Sequence, residues 1–356
     1  MTSFHTLRWL LAAAIVMSTG CSQAETKAPK AEKKATTVAV AKAPQSPTGW
    51  HQTTVQEVVK VKSESMGEVA NTITVPEAYL APADTAHYPV VYLLHGFGDD
   101  HTQWAKQADL KAAANAYGII IVCPDGKTSW YFDAPANPKQ RYETYISSEL
   151  VQFVDRHYRT RAYRTGRAIT GLSMGGHGAL WNAWRHPDVW GSCGSMSGGV
   201  DITKFPDRWH IHHALGTYAQ HKQVWAQHSV INLVPKLTPG QQNIIIDDGR
   251  QDFFYDVNMA LHQALTNKGI AHNFTIRPGQ HSWKYWKESL PQHLAFFKQA
   301  FDGKPVVCKT TIDNSQPAKA PAPKATEKPA KKAKEKAKKA EAPAEKPTEK
   351  KEPQQS

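Results

Sequence analysis

Cysteine is scarce: the four in 356 residues, at positions 21, 123, 193 and 308, show no Cys-x-x-Cys pair and no regular spacing. Nothing in that spacing points to a disulfide framework or a thiolate metal site. Cys123 and Cys193 sit inside apolar runs, where a thiol packs as a small hydrophobe. Large apolar side chains are almost missing from residues 22–48 and 315–356, which consist of Ala, Lys, Pro, Glu, Thr and Ser. Such stretches cannot bury enough surface to offset the entropy of ordering them, so both ends read as disordered. Acidic residues are also outnumbered there, with 12 Lys against 6 Glu in 315–356 and 5 Lys against 2 Glu in 22–42. With Arg8 these segments supply +10 of the formal +12, so the middle of the chain is close to neutral.

A run long enough to cross a bilayer, about 20 apolar residues, is missing from the start of the chain; the apolar run within 1–20 has about ten. Arg8 before it and small residues after it give the layout of a secretory signal. "MSTGC" resembles a bacterial lipobox, in which Cys21 becomes the lipidated first residue, although Ser18 stands where leucine is usual. The expectation is an exported protein of the cell envelope, held in a bacterial membrane by a lipid on Cys21 (outer membrane or periplasm), or otherwise secreted. The basic tail then meets anionic envelope polymers or lipid headgroups, or serves as a solvated spacer. Export argues against nucleic-acid binding. The resulting division is 1–20 signal, 21–51 linker, 52–302 folded domain and 303–356 disordered tail.

Within 52–302 the pattern alternates. "EVVKVKSESMG" and "ANTITVPEAYL" read as two antiparallel strands, and "YPVVYLLHGFGDD" and "IIIVCPDG" as buried parallel strands running into turn residues. "QADLKAAANAYG" is a helix stopped by Gly118, and "YETYISSELVQFVDRHY" places Ile146, Leu150, Phe153, Val154 and Tyr158 on one helical face. Then follow "RAITGLS", a helix over "GHGALWNAWRH", a strand over "GSCGSMSGG" and an irregular helical stretch at 201–237. "NIIIDDG", a helix over "DVNMALHQALTNKG", "NFTIRPG" and a helix over "ESLPQHLAFFKQAF" complete the domain. Buried strands alternating with helices predict an α/β fold, a mostly parallel central sheet with helices on both faces.

In such a sheet, ligands sit at the carboxyl ends of the strands. Ser173 in "TGLSMGG" follows a strand and precedes a helix, the context that the Gly-x-Ser-x-Gly elbow requires. Gly171 and Gly175 permit so sharp a turn, and the Met174 N–H at the helix start offers one donor for an oxyanion. A serine nucleophile needs a base, and the base an orienting acid. Of 17 histidines, His281 lies just past the last strand, at its carboxyl end, whereas His272 precedes that strand. His95 is at the right end of its strand but comes before the serine, against the chain order of this architecture. His177, one turn into the elbow helix, reads as local structure. For the acid, "IIIDDGRQDFFYD" offers Asp252, followed by Phe253 and Phe254, with Asp248 as the alternative; spacing leaves both open. The second oxyanion donor is expected from the loop after "VVYLLHGFG", the Phe97 N–H or alternatively Gly98.

"YLLHGFGDDHTQW", "RYETYISSELVQFVD", "ITGLSMGGHGAL", "DDGRQDFF" and "GQHSWKYW" together resemble the Putative esterase family, which includes feruloyl and acetyl-xylan esterases, S-formylglutathione hydrolases and mycobacterial mycolyltransferases. The resemblance covers about residues 55–300 and implies the α/β-hydrolase fold. It implies Ser173 as nucleophile, Asp252 as acid, His281 as base, and Phe97 and Met174 as oxyanion donors. It weakens across 127–140 and 201–237.

Trp104, Trp130 and Tyr131 follow strand ends and are expected to line an acyl or sugar pocket. His210, His212 and His213 cluster in "RWHIHHALG" without a carboxylate among them, so no metal and no cofactor is expected. The leading expectation is hydrolysis of a carboxylic ester through an acyl-enzyme. Transfer of the acyl group to a sugar hydroxyl, or an inactive envelope-binding body, are the alternatives.

Overall fold

The computed structural model describes residues 52–318, and every structural statement concerns these. Cys21, the signal-like start and the lysine-rich stretch from 319 onward lie outside the described residues. The described chain opens with a hairpin, β1 (Gln56–Ser63) and β2 (Gly67–Thr74), antiparallel from Gln56↔Thr74 to Ser63↔Gly67. Seven strands follow: β3 (Val90–Leu94), β4 (Ile120–Pro124), β5 (Arg167–Gly171), β6 (Ser192–Met196), β7 (Asn243–Gly249), β8 (Asn273–Arg277) and β9 (Thr310–Ile312). They make one sheet in the order β1-β2-β4-β3-β5-β6-β7-β8-β9, antiparallel as far as the β2–β4 pair and parallel beyond it.

Every residue of β3, β4, β5 and β6 is buried, which is why these strands read as continuous apolar or small-residue runs rather than alternating ones. Alternate side chains go to opposite layers: Val90, Tyr92 and Leu94 of β3 join one core, Val91 and Leu93 the other. The first layer takes Leu180 of helix Met174–Arg185 and Leu261 of helix Tyr255–Asn267. The second takes Leu110 of helix Leu110–Tyr117 and Leu294 and Phe297 of helix Trp283–Phe301. Local signals fix helix ends. Asp109 accepts from the Ala112 N–H at 2.9 Å, and Gly118 takes the left-handed φ of 59° that stops the helix.

The connection leaving β3 runs to β4 on one side, and that leaving β5 runs to β6 on the other. A crevice must open between the carboxyl ends of β3 and β5, where neighbouring connections diverge. That crevice is where a ligand has room to approach the strand ends.

Two boundaries differ from the sequence-based expectation. Residues 303–318 are not a disordered tail: β9 pairs with β8, Phe274 N–H donates to Lys309 O at 2.8 Å, and Asp313 N–H to Ile276 O at 2.9 Å. Its exposed Thr and Lys side chains hide this strand from any hydrophobic pattern: main-chain pairing holds it, with Ile312 alone of its three residues packed against the core. The last long helix begins at Trp283, not 288; Pro291 lies inside it, where burial of Tyr285, Trp286, Leu290 and Leu294 outweighs the lost hydrogen bond. His281 therefore stands two residues before a helix.

Candidate active site

Ser173 links β5 to helix Met174–Arg185 with φ 56° and ψ −116°, a conformation that costs a non-glycine residue about 1–3 kcal/mol. The turn is held by Ser173 N–H to Met196 O at 2.9 Å and His177 N–H to Ser173 O at 3.1 Å. A Cβ on Gly171 would lie 2.6 Å from Leu94 O, and one on Gly175 2.5 Å from the same oxygen and 2.6 Å from His95 O. Backbone stands at both places, so neither position can carry a side chain. The strained serine is the product of these close approaches.

From the loop between β8 and helix Trp283–Phe301, His281 brings Nε2 to 2.9 Å from Ser173 Oγ. From the loop between β7 and helix Tyr255–Asn267, Asp252 accepts the Nδ1–H of His281, with Oδ2 at 2.8 Å and Oδ1 at 3.0 Å. Phe254 N–H also donates to Asp252 Oδ1 at 2.8 Å. The Asp252 side chain is fully buried, while His281 keeps 15 % of its side chain exposed. Nδ1 bound to the carboxylate leaves Nε2 free to accept the serine proton. Rings enclose the imidazole, with Phe253 at 4.2 Å, Trp286 at 4.8 Å and Phe254 at 5.4 Å between centroids.

Asp248 turns elsewhere. It accepts from Gly249 N–H at 2.8 Å and from Asn258 Nδ2 at 3.1 Å. Burial, and then the charge of Asp252, hold its carboxyl well above the usual range.

Across the crevice, the Gly96–Gly98 loop passes close to the serine: a Cβ on Gly96 would lie 3.6 Å from Ser173 Cβ. Among the described residues, neither the Phe97 nor the Met174 N–H donates to a protein acceptor, and the same holds for Gly98. His95 clamps this loop, donating Nδ1–H to Gly96 O at 2.8 Å while Nε2 accepts from Gly126 N–H at 2.8 Å. Both ring nitrogens are thus committed, and the imidazole is no base for Ser173. Sequence pattern placed His95 at the correct sheet edge but could not show this clamp, which depends on a second strand end.

The expectation for three aromatics is corrected. Trp104, Trp130 and Tyr131 are 1 %, 1 % and 0 % exposed and pack within the core. Trp104 donates Nε1–H to Leu94 O at 3.0 Å and lies edge-on to Trp283. Tyr131 donates its hydroxyl to His95 O at 3.1 Å, with its ring filling the space that a Cβ on Gly126 or Gly178 would need. Trp130 packs against His177, Trp209 and the space over Gly199. The aromatic surface left beside the base is Phe253, 37 % exposed, with Trp209 stacked on it at 5.6 Å. His210, His212 and His213 are exposed with ring centroids 4.4–6.3 Å apart, and no group of three potential metal ligands occurs among the described residues.

A strand–serine–helix elbow at the switch of a mostly parallel sheet, with a histidine and a carboxylate arriving from two later loops, defines an α/β hydrolase. Residues 63–297 match the family model described as Putative esterase, and the chain belongs to that family. It is 24% identical over 233 residues to an acetyl esterase of Caldicellulosiruptor saccharolyticus, covering 62% of this chain and 86% of that one. It is 25% identical over 243 residues to an S-formylglutathione hydrolase of Rattus norvegicus, covering 61% and 85% respectively. The solved structure of a ferulic acid esterase superposes with a TM-score of 0.60 at 29% identity, over 69% of this chain and 98% of that one. The protein is a serine hydrolase of carboxylic esters.

Proposed function

We propose that Ser173 is the nucleophile, His281 the general base and acid, and Asp252 the group that orients and stabilises the imidazolium. The observation that carries this reading is the continuous path from Ser173 Oγ through both nitrogens of His281 to the buried Asp252 carboxylate, with contacts of 2.9 and 2.8 Å. Ser173 Oγ attacks the acyl carbonyl as its proton passes to His281 Nε2. The N–H groups of Phe97 and Met174 receive the oxyanion, each such donor supplying about 3 kcal/mol at the transition state. His281 returns the proton to the departing alcohol, and an acyl-enzyme remains. Water then attacks it by the same route in reverse, with Asp252 ionised throughout.

The substrate class in this reading is small acyl esters and acylated carbohydrates. The relatives' names, acetyl esterase and ferulic acid esterase, support it, as does the exposed ring of Phe253 beside His281, with the half-buried Trp209 stacked on it. Hydrolysis of p-nitrophenyl acetate by wild type and Ser173→Ala tests the mechanism, with turnover expected to fall by about four to six orders of magnitude. A fluorophosphonate probe should label the wild type and not the variant. Equal rates in the two proteins would remove Ser173 from the chemistry.

A further inference from the structure

Gln251 immediately precedes Asp252 and has no role in the hydrolytic scheme above, yet each polar group of its side chain is used. The loops carrying the acid and the base run side by side, so close that a Cβ on Gly249 would lie 2.6 Å from Gly279 O. Arg250 N–H donates to Arg277 O, and Gln251 N–H to Gly279 O, both at 2.8 Å. The Gln251 side chain then completes the pairing, with Oε1 accepting from Gly279 N–H at 2.8 Å. Its Nε2 donates to Pro317 O at 2.9 Å, next to the bond from Arg250 Nε to Gln316 O at 2.6 Å. An N–H on one side and a carbonyl on the other permit only one orientation of the amide. Gln251 thus joins the acid loop, the base loop two residues before His281, and the strap that follows β9.

We propose that Gln251 is a positioning residue: its amide sets the base loop against the acid loop and so fixes His281 between Asp252 and Ser173. The strap beyond β9 takes part by holding that amide in its working orientation. This rests on the triad reading given above. Without the amide, Gly279 N–H loses its acceptor, and apart from the Asp252–His281 contact itself the base loop is tied to the acid loop through main-chain bonds at residues 250 and 251. A shift of about 1 Å in a reacting group can cost about a hundredfold in rate, so even a fraction of that shift is measurable.

The test uses the full-length chain with Gln251→Met, which keeps bulk but loses both links, and Gln251→Glu, which keeps an oxygen for Gly279 N–H. For Gln251→Met, kcat on p-nitrophenyl acetate should fall about tenfold with KM within about twofold. The acid limb of kcat/KM should move to lower pH, because a looser carboxylate stabilises the imidazolium less. The low-field proton resonance of His281 Nδ1–H should broaden or vanish. Gln251→Glu keeps the Gly279 link but loses the donor to Pro317 O, so kcat should fall less than in Gln251→Met, by about threefold, and the acid limb should move to higher pH, the added negative charge favouring the imidazolium. Wild-type kcat, acid limb and resonance in Gln251→Met would overturn the proposal. If the Met variant does not fold, a Glu variant whose Nδ1–H resonance is lost overturns it instead. Absence of fluorophosphonate labelling in the wild type sinks the nucleophile assignment, whereas normal labelling with an indifferent Gln251→Met sinks this proposal alone.

Discussion

The corner that carries Asp252 and His281 and the stretch that overhangs them are built on different principles. At 249–281 nearly every placement is a directional bond: Arg250 to Arg277, Gln251 to Gly279, Asp252 to Phe254 N–H and His281, all at 2.8–3.0 Å. At 201–237 the chain forms only short turns of helix, Ile202–Lys204, His212–Leu215, Lys222–Gln227 and Val230–Lys236. Its tip holds two successive left-handed residues, Trp209 at φ 50° and His210 at φ 53°. Ring packing keeps Trp209 there, with Phe254 at 5.1 Å, Phe205 at 5.4 Å, Phe253 at 5.6 Å and Trp130 at 5.9 Å. Directional bonds fix a geometry to tenths of an ångström, which proton transfer needs. Ring contacts fix a surface while allowing its members to slide or be exchanged.

Breaking the corner should therefore act on turnover, and breaking the overhang on binding. The largest expected effect among these comes from Asp252→Asn, which keeps the shape but cannot stabilise the imidazolium and favours the wrong tautomer of His281. Steady-state hydrolysis of p-nitrophenyl acetate should show kcat reduced by about 10³–10⁴ with KM changed by less than about threefold. A loss confined to KM would contradict the division of labour between the two regions.

The same division explains what was legible in the sequence. The sharp turn at Ser173 could be read because sterics forbid a side chain at Gly171 and Gly175, and a steric ban leaves a mark in the residue types. The position of His281 could be read because strand order alone sets it at the carboxyl edge. Asp248 and Asp252 stayed open because the choice lies in orientation: one side chain faces Asn258 and the other His281, and spacing does not encode that. Trp104, Trp130 and Tyr131 were misplaced for a related reason. Aromatics just beyond strand ends close the core as readily as they line a pocket, and only burial separates the two. Gln251 left no pattern at all, since its partners lie in two other segments.

His177 sits where the elbow helix meets the overhang, and it offers a finer cut between them. Its ring faces two carbonyls, His228 O from Nε2 at 2.9 Å and Trp130 O from Nδ1 at 3.3 Å, in full burial. Burial pushes its pKa down to about 4, although both carbonyls favour the charged form. An unfolded histidine takes up its proton near 6.5, so between there and 4 the unfolded state binds more protons. Stability should fall as pH drops through that window, by at most about 3 kcal/mol from this group. Urea unfolding at pH 7 and 4.5 should show a smaller pH-dependent loss in His177→Asn than in wild type. Parallel losses would mean that His177 is already solvated at the junction.

Trp209 gives the smallest effect and the sharpest contrast with Asp252. Its ring contacts are worth about 0.5–1.5 kcal/mol each, and its backbone stores about 1–3 kcal/mol of strain. Trp209→Ala removes the ring but keeps a Cβ at φ 50°, whereas Trp209→Gly removes the ring and the steric reason for the strain together. If the overhang serves to present that ring, both variants should raise KM for a long or aromatic acyl ester about two- to tenfold, with kcat for p-nitrophenyl acetate unchanged within about twofold. The two should then separate in unfolding experiments, the glycine variant being the more stable by about 1 kcal/mol. Equal stabilities would mean that the turn relaxes freely once the ring has gone, and an unchanged KM would mean that substrates never reach it. A fall in kcat for acetate matching that of Asp252→Asn would show that overhang and corner form a single unit, and the contrast between them would have to be abandoned.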